Sequence, residues 1–263
     1  MRAWGLLLLL GAALGAGEAK RIASLSPAAT RILVDLGCAD RICVATRWCN
    51  LPAGHPAARQ MDALEPDIEQ LVAAQPDAVL LPRLANPLLA ERLRRAGLAV
   101  TLLTPEAKDS PATDILVLGE LTGRSLRATE LVAERRALRP AGERRVLVIW
   151  GGVVAGPDSY LAWAIEAAGG RPAPKSGAWP QLDLEQISNL DPDLVLVIRS
   201  GGPPTPRPAT STIEEWKSTP GLRLTRCASK GYIFEVEESS CWLPASGLPE
   251  AARKLAELLE QNP

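Results

Sequence analysis

The chain has few aromatic residues, one histidine and no familiar catalytic motif. Aromatic residues make up 4% of its 263 positions, and His55 is the only histidine. A single histidine in a proline-rich loop leaves a Ser-His-Asp triad without its usual base and a zinc site without its usual nitrogen ligands. GxSxG, HExxH, GxxxxGK[ST] and a strand-following GxGxxG are all missing from the sequence. We therefore predict a non-enzymatic protein with no catalytic residues, no protein-held metal and no cofactor.

The charges are nearly balanced, with 29 basic and 30 acidic residues. Such a balance creates no electrostatic field for nucleic acid or for an anionic membrane surface. The length is sufficient for one large or two ordinary domains with complete cores. We expect no nucleic-acid partner, and we expect a monomer.

The N-terminus is apolar over a short stretch, WGLLLLLGAALGAG, which follows a single arginine. The stretch is too short to span a bilayer comfortably, and its end in small residues is typical of a secretory signal peptide cleaved after Ala19. An N-terminal core helix is the alternative, but no polar residue alternates with the leucines. No cysteine follows the run, which argues against lipid modification. We predict an exported, soluble, periplasmic protein.

The cysteines are five in number, which suits an oxidising compartment but leaves one unpaired. They form no CxxC pair, so a zinc or iron–sulfur site is disfavoured. One or two disulfides with a leftover thiol are expected, and the spacing leaves the pairing open. The residues are Cys38, Cys43, Cys49, Cys227 and Cys241.

Strand-like and helical segments alternate along the chain, which indicates parallel βαβ units. Strand-like runs include RIASL (21–25), ICVAT (42–46), AVLL (78–81) and RVLVIW (145–150). Residues 111–139 are helical in pattern, with a break at Gly123. We predict an α/β fold of two similar lobes with parallel-type sheets, joined by one long backbone helix, with a ligand cleft between the lobes. The predicted boundaries are 1–19 for the signal peptide, 20–108 for the N-terminal lobe, 109–140 for the helical linker and 141–263 for the C-terminal lobe.

An internal repeat supports the two-lobe reading. DIEQLVAAQPDAVLL (67–81) and DLEQISNLDPDLVLV (183–197) follow the same helix–turn–strand pattern at a constant offset. Glu69 and Glu185 hold equivalent places in the two copies. Each is either a solvated acid favoured by the helix dipole or a docking acid for a two-fold symmetric partner.

Four of the seven tryptophans lie in or beside loops that are expected at the carboxyl ends of strands. These are Trp48, Trp150, Trp179 and Trp242. Loops at that edge face the cleft of an α/β protein, and tryptophan presents a broad flat surface to a large planar or apolar ligand. Ordinary packing between elements is the alternative reading for each. Trp163 and Trp216 lie on predicted helices and are expected in the core.

Several segments together resemble the helical-backbone substrate-binding proteins of ABC importers, in order along the mature chain. They are SLSPAATRILVDLG (24–37), TRWCNLP (46–52), EPDIEQLVAAQPDAVLL (65–81), RVLVIWGG (145–152) and WPQLDLEQISNLDPDLVLV (179–197). The last block is most similar to the periplasmic cobalamin-binding proteins. The resemblance implies two lobes, a rigid linking helix, and a ligand clamped between the lobes and delivered to a membrane permease.

The resemblance also implies roles for individual residues. Trp179 matches a tryptophan that contacts the corrin ring, and Trp48 takes the place of an aromatic residue after the second strand. Trp242 or its neighbour Cys241 falls in the final cleft loop. Glu69 and Glu185 match the two glutamates that dock such receptors onto arginines of the ABC permease dimer.

Two departures concern the ligand rather than the fold. Ala63 stands where the cobalamin receptors have a second tryptophan, and Pro82 stands at a position for an aromatic residue. Arg47 and Arg83 in the cleft loops, with Asn86 beside the latter, suit the oxygens of an anionic ferric chelate. A corrinoid is thus the first hypothesis and a ferric siderophore or haem the second. A third is an exported tetrapyrrole-modifying enzyme or chelatase, with free Cys49 or Cys241 at the cleft.

Overall fold

A computed structural model describes residues 18–63, 65–82, 87–103, 107–136, 142–150, 153–199 and 213–262, with the backbone alone at 58–60, 87, 136, 215 and 240. Arg83 and Asn86 lie outside the described residues. The elements of the first half are β1 (Ile22–Ser24), α1 (Pro27–Asp35), β2 (Ile42–Thr46), β3 (Ala58–Met61), α2 (Ile68–Ala73), β4 (Ala78–Pro82), α3 (Pro87–Arg95), β5 (Val100–Leu103), α4 (Ser110–Leu121) and α5 (Ser125–Arg136). Those of the second half are β6 (Arg144–Trp150), β7 (Val153–Val154), α6 (Tyr160–Ala167), β8 (Gly170–Pro172), α7 (Leu184–Leu190), β9 (Leu194–Arg199), α8 (Ile213–Ser218), α9 (Arg226–Lys230), β10 (Ile233–Glu237) and α10 (Leu248–Gln261).

The elements form two separate sheets. The first has the order β3-β2-β1-β4-β5 and every pair in it is parallel. The second has the order β10-β9-β6-β7, with β8 beside β6, and only the short β7 runs antiparallel. In each sheet the repeat's strand, β4 or β9, lies next to the lobe's first strand. The predicted α/β fold of two similar lobes with parallel-type sheets is confirmed.

Each sheet is covered by apolar side chains on both faces, as expected for parallel strands. In the first lobe Ile22 and Leu80 face the α1 and α4 side, whereas Ala23 and Val79 face the side of α2 and α3. Local sequence explains why these helices begin where they do. The Ser26 hydroxyl accepts the Ala29 N–H at 3.3 Å, and Pro27 occupies the first turn of α1.

The connector between the sheets is two helices, not one long helix. Helices α4 and α5 have 12 residues each, about 18 Å of rise apiece, and the chain breaks at the predicted Gly123, where φ is 66°. The two helices pack closely, since a Cβ on Gly119 would collide with that of Ala128. Ile115 and Leu118 of α4 are buried in the core of the first lobe.

Side chains join the connector to the second lobe. The Lys108 ammonium lies 2.6 Å from the Glu166 carboxylate, and the Arg135 guanidinium lies 4.3 Å from the centre of the Trp163 ring. Burial lowers the pKa of Arg135 to about 10, partly opposed by Asp109. A further hydrogen bond does not involve the connector: the Ser246 hydroxyl, just before α10, donates to Asp35 at the end of α1 at 2.6 Å.

All five cysteines are free thiols, so the expected disulfides do not form in this structure. Every pair of cysteines except Cys38 and Cys49 is divided between different core clusters. Cys43 packs against one face of the first sheet, whereas Cys38 and Cys49 lie in the core on the other face. Cys227 and Cys241 are divided in the same way between the two faces of the second sheet, in the clusters of Ile187 and of Trp242 respectively. Burial raises the pKa of Cys43 and of Cys227.

The start of the described chain is part of the first lobe. Ala19 is 4% exposed, its N–H donates to the Leu121 carbonyl at 2.9 Å, and its own carbonyl accepts from Arg41 at 3.1 Å. Arg41 also lies 3.5 Å from the Glu18 carboxylate. Within the described residues, no helix has both the length and the apolar character needed to cross a bilayer.

Candidate functional site

A tight turn presents Trp48 at the carboxyl end of β2. The buried Thr46 holds this turn: its carbonyl accepts the Cys49 N–H at 3.1 Å and its hydroxyl accepts the Trp48 N–H at 3.3 Å. The Cys49 thiol packs inward, 3.3 Å from the same hydroxyl. The indole of Trp48 is consequently left 55% exposed at the edge of the sheet.

Arg47 accompanies this exposed ring. Its guanidinium lies 5.3 Å from the centre of the Trp48 ring and 3.7 Å from the Asp62 carboxylate. The Arg47 side chain is nevertheless 65% exposed, so water screens the ion pair strongly and the cation remains available to a further anion.

Trp179 stands on a loop that is pinned to the segment before α6. The Gly156 N–H donates to the Ala178 carbonyl at 2.8 Å, and the Gly177 N–H donates to Asp158 Oδ2 at 3.1 Å. The backbones approach so closely that a Cβ on Gly156 would collide with the Gly177 carbonyl oxygen. The loop position of Trp179 therefore depends on a glycine 23 residues earlier.

The Trp179 ring is half-buried against the core of the second lobe. Its centre lies 5.3 Å from that of the buried Tyr160 ring, at an interplanar angle of 59°. Its indole Nε1 is buried and has no hydrogen-bond partner among the described residues. Trp150 ends β6 at the carboxyl edge of the same sheet and is also partly exposed. Trp150 and Trp179 thus leave part of their aromatic surface uncovered on the second lobe.

Two other predicted contacts face inward. Trp242 and Cys241 are each 1% exposed and belong to the core of α6 and α10, in a short 3₁₀ turn at Ser240–Trp242. The Cys241 thiol lies 3.0 Å from the Ser239 hydroxyl and 3.6 Å from Lys254 Nζ. Because these two side chains are enclosed by protein, we leave both out of the candidate site. Trp216 is also in the core, as predicted.

His55 is a structural residue in this fold. Its Nδ1 accepts the Ala57 N–H at 3.1 Å and its Nε2 lies 2.7 Å from the Ala39 carbonyl. The ring thus ties this loop to the turn at Ala39–Arg41 that follows α1. No group of three or more histidine, cysteine, aspartate or glutamate side chains within the described ranges is arranged to hold a metal ion.

The two repeat copies form matching helices. Asp67 caps α2 by accepting the Gln70 N–H at 3.1 Å, and Asp183 caps α7 by accepting the Gln186 N–H at 2.7 Å. Glu69 and Glu185 therefore occupy the same place, the first turn of a capped helix. The two acids are exposed, and within the described part of the chain neither forms a hydrogen bond or an ion pair.

Two arginines that were not among the predicted site residues attach these helices to the sheets. Arg21 Nη2 donates to the Ala74 carbonyl at the end of α2 at 2.7 Å, and Arg145 Nη1 donates to the Leu190 carbonyl at the end of α7 at 2.8 Å. Each arginine is the first residue of a predicted strand, RIASL (21–25) or RVLVIW (145–150), and this shared position was the signal that could have identified them.

The second lobe has a cavity on either side of the start of β6 and α7, and neither is lined by a tryptophan. One, of about 290 Å³, is at the amino end of β6 and includes Arg144 and Tyr232. The other, of about 460 Å³, lies beside α7 and includes Lys175 and Asn189.

The sequence pattern of the family described as periplasmic binding protein matches residues 22–239. The chain is 28% identical over 201 residues to a cobalamin-binding protein of Halobacterium salinarum, covering 68% of this chain and 54% of the relative. It is 20% identical over 214 residues to the Fe(3+)-citrate-binding protein YfmC of Bacillus subtilis, covering 75% of this chain and 64% of that protein. The chain thus spans about half the length of the cobalamin-binding relative.

Solved structures with the same architecture include two heme-binding proteins. The periplasmic heme-binding protein HutB of Vibrio cholerae superposes with a TM-score of 0.74 at 20% identity, covering 91% of this chain and 98% of that one. The periplasmic heme-binding protein BhuT, solved with two hemes, gives a TM-score of 0.72 at 21% identity, covering 94% and 99%. At these identities the likeness establishes the two-lobed fold.

Proposed function

The chain belongs to the periplasmic binding protein family, and we propose that it captures cobalamin or a related corrinoid between its lobes and delivers it to an ABC import permease. The family comprises binding proteins of transport systems, so the chain is a binding protein and not an enzyme. Capture outside the cytoplasmic membrane accords with this family. The metal would arrive inside the chelate, which requires no metal ligands from the protein.

The observation that carries the corrinoid assignment is the presentation of Trp179. A half-buried indole on a pinned loop offers a flat apolar face whose orientation is set before the ligand arrives. Such pre-organisation reduces the entropy lost on binding a large ring system. The sequence likeness to a cobalamin-binding protein supports the same choice. Trp48 on the first lobe would contribute the opposing aromatic surface, and Trp150, which packs against the same core as Trp179, would add to the surface of the second lobe.

Glu69 and Glu185 are proposed as the contacts to the permease. Both are exposed carboxylates without a partner among the described residues, at equivalent positions in two similar lobes. One interaction geometry would therefore serve twice on a two-fold symmetric partner. Arginines are suitable receptors for such carboxylates because their guanidinium groups bind both oxygens.

Titration of tryptophan fluorescence tests the ligand. We expect saturable quenching by cyanocobalamin and cobinamide, and weaker or no quenching by haem and ferric citrate. Trp179→Ala should weaken cyanocobalamin binding by about 1–3 kcal/mol. Trp163→Phe is the control: the Trp163 ring packs on Arg135, and its replacement should leave cyanocobalamin affinity unchanged. Saturable quenching by a ferric chelate and none by either corrinoid would overturn the corrinoid assignment.

A ferric siderophore or haem is the second candidate, and Arg47 is the observation that favours it. Its exposed guanidinium beside Trp48 suits a carboxylate or hydroxamate oxygen on an anionic chelate. The likeness to the ferric citrate receptor supports this alternative. Arg47→Gln separates the two ligands, since it should weaken a ferric citrate complex about 10-fold or more and leave a corrinoid complex nearly unchanged.

A further inference from the structure

An arginine and an aspartate join the repeat helix of the first lobe to the start of its sheet. Asp77 Oδ2 accepts the backbone N–H groups of Lys20 and Arg21, each at 2.8 Å. The Asp77 N–H in turn donates to the Arg21 carbonyl at 2.7 Å. The Arg21 guanidinium then reaches back to the end of α2, donating to the carbonyls of Ala74 at 2.7 Å and Gln75 at 3.3 Å. We call this set the first clamp.

The second lobe repeats the arrangement with its own residues. Asp193 Oδ2 accepts the Arg145 N–H at 2.8 Å, and the Asp193 N–H donates to the Arg145 carbonyl at 2.9 Å. The Arg145 guanidinium donates to the Leu190 carbonyl, the last residue of α7, at 2.8 Å. Arg226 reinforces this second clamp, with contacts of 3.0 Å to Asp193 and 2.6 Å to Asp191.

The helices that these clamps hold are too short to orient themselves. Helix α2 has six residues and α7 has seven, and each has a single fully buried side chain, Leu71 and Ile187 respectively. Isolated helices of this length are unstable in water. The other apolar side chains that pack against the sheets from these helices, Ile68 and Leu190, are only partly buried, so packing restrains each helix weakly. The aspartate cap stabilises the first turn of each helix from within. The clamp arginine ties the other end of the helix to the sheet and so restrains the direction of the helix.

We infer that the two clamps are positioning devices, which hold Glu69 and Glu185 at a set separation and direction for a partner whose two basic sockets are rigidly spaced. This inference rests on the docking role proposed above. A partner with fixed sockets discriminates against a receptor whose two acids move independently, because ordering them during docking costs conformational entropy. Arg21, Asp77, Arg145 and Asp193 act through the helices and do not touch the partner.

The first test measures the helix itself by amide hydrogen exchange. Arg21→Gln removes the two bonds to the end of α2 and leaves Asp77 and the sheet in place. We expect exchange at Leu71 and Ala74 to accelerate roughly 3- to 10-fold while α7 is unaffected. Arg21→Lys, which keeps a donor, should recover part of the protection. Arg145→Gln should accelerate amide exchange in α7 and leave exchange in α2 unaffected.

The matched control is Arg95→Gln, which removes an exposed arginine paired with Glu91 within α3. It should leave exchange in α2 unchanged. If Arg21→Gln alters exchange in α2 no more than Arg95→Gln does, the clamp does not hold the helix and the inference is overturned.

The second test measures the separation of the two docking positions by double electron–electron resonance. Spin labels are placed at Glu69→Cys and Glu185→Cys in a Cys43→Ser background, because the other four thiols are buried. A narrow distance distribution is expected, and Arg21→Gln should broaden it while cyanocobalamin affinity stays the same. An equally narrow distribution in the variant would contradict the positioning role.

The third test uses the ABC permease that co-purifies with the unaltered protein, reconstituted in nanodiscs, with stimulation of ATP hydrolysis as the readout. We expect Arg21→Gln to weaken stimulation about 3- to 10-fold, and to add nothing further in a Glu69→Ala background. If the Glu69→Ala, Glu185→Ala double variant stimulates ATP hydrolysis as strongly as the unaltered protein, the docking proposal is overturned, and with it the purpose assigned to the clamps. A response to that double variant but none to Arg21→Gln would overturn the inference alone.

Discussion

The ring of Trp179 lies 5.3 Å from that of Tyr160, with 59° between the planes. This tilted contact supports the half-exposed indole from beneath, since Tyr160 is itself buried in the core of the second lobe. A ligand that stacks on Trp179 therefore meets a surface supported by a side chain that never touches it.

We expect Tyr160→Leu to weaken binding of cyanocobalamin by about 0.5–1.5 kcal/mol, the usual contribution of an aromatic pair. Tyr160→Phe keeps the ring and should bind nearly as the unaltered protein does. Fluorescence titration gives the affinities, and urea denaturation separates loss of binding from loss of fold. Equal affinities for the leucine and phenylalanine variants would show that the ring contact does not orient Trp179.

Gly156→Ala should displace the loop that bears Trp179. The added Cβ would collide with the Gly177 carbonyl oxygen and lie 3.0 Å from Pro180 Cδ, so the loop has to move outward. We expect about 1–3 kcal/mol of destabilisation and about a 10-fold loss of cyanocobalamin affinity. Gly221→Ala is the matched control, because a Cβ there meets nothing closer than 3.7 Å. If Gly156→Ala binds cyanocobalamin with full affinity, the position of the Trp179 loop does not matter for ligand binding.

Asp77 should make the stability of the first lobe depend on pH. Hydrogen bonds from the Lys20 and Arg21 backbone N–H groups hold the pKa of this carboxyl below its ordinary value. A lowered pKa in the folded state stabilises the fold above the unfolded-state pKa of about 4, and the stabilisation is lost as the pH falls through the folded-state pKa. Asp77→Asn should therefore lower the free energy of unfolding at pH 7 and flatten its decline below pH 5.

Urea denaturation at pH 7, 5, 4 and 3 checks this dependence. Glu69→Gln serves as the control, since it removes an exposed carboxylate with no hydrogen-bond partner among the described residues. If the free energy of unfolding falls with pH in the same way for Asp77→Asn and the unaltered protein, groups other than Asp77 cause the acid sensitivity.

Removal of Ala19 should destabilise the first lobe. A chain that begins at Lys20 lacks the bonds of the Ala19 N–H to Leu121 and of its carbonyl to Arg41, together with a buried methyl group. We expect it to be about 1–3 kcal/mol less stable than a chain that begins at Glu18. Thermal or urea denaturation of the two chains measures the difference. Equal stability of the two chains would show that these contacts of Ala19 contribute nothing to the first lobe.

Much of the fold was predictable because its causes are local. The strand over 42–46 and the break at Gly123 follow from β-branched runs and from the conformational freedom of glycine. The short edge strands β3, β7 and β8 were not predicted, because two to four residues carry too little periodicity. The expected single helix across 109–140 is two helices that turn back on one another at Gly123.

The candidate site was predictable only in part. Sequence placed Trp48, Trp150 and Trp179 at strand ends, and the structure leaves all three with exposed surface. Trp242 satisfied the same criterion yet lies in the core, because a loop position does not specify the side of the chain to which its ring turns. The disulfide prediction failed for a related reason, since counting cysteines does not indicate which face of a sheet each one occupies.

By itself, the sequence determined the two capped repeat helices and the acid that each one carries, because capping and helical periodicity operate over three or four residues. Tertiary structure alone decided that Arg21 and Arg145 fasten those helices to their sheets. The partners in each clamp lie 53 and 45 residues apart in the chain, and only the parallel pairing of β1 with β4 and of β6 with β9 brings them into hydrogen-bonding distance.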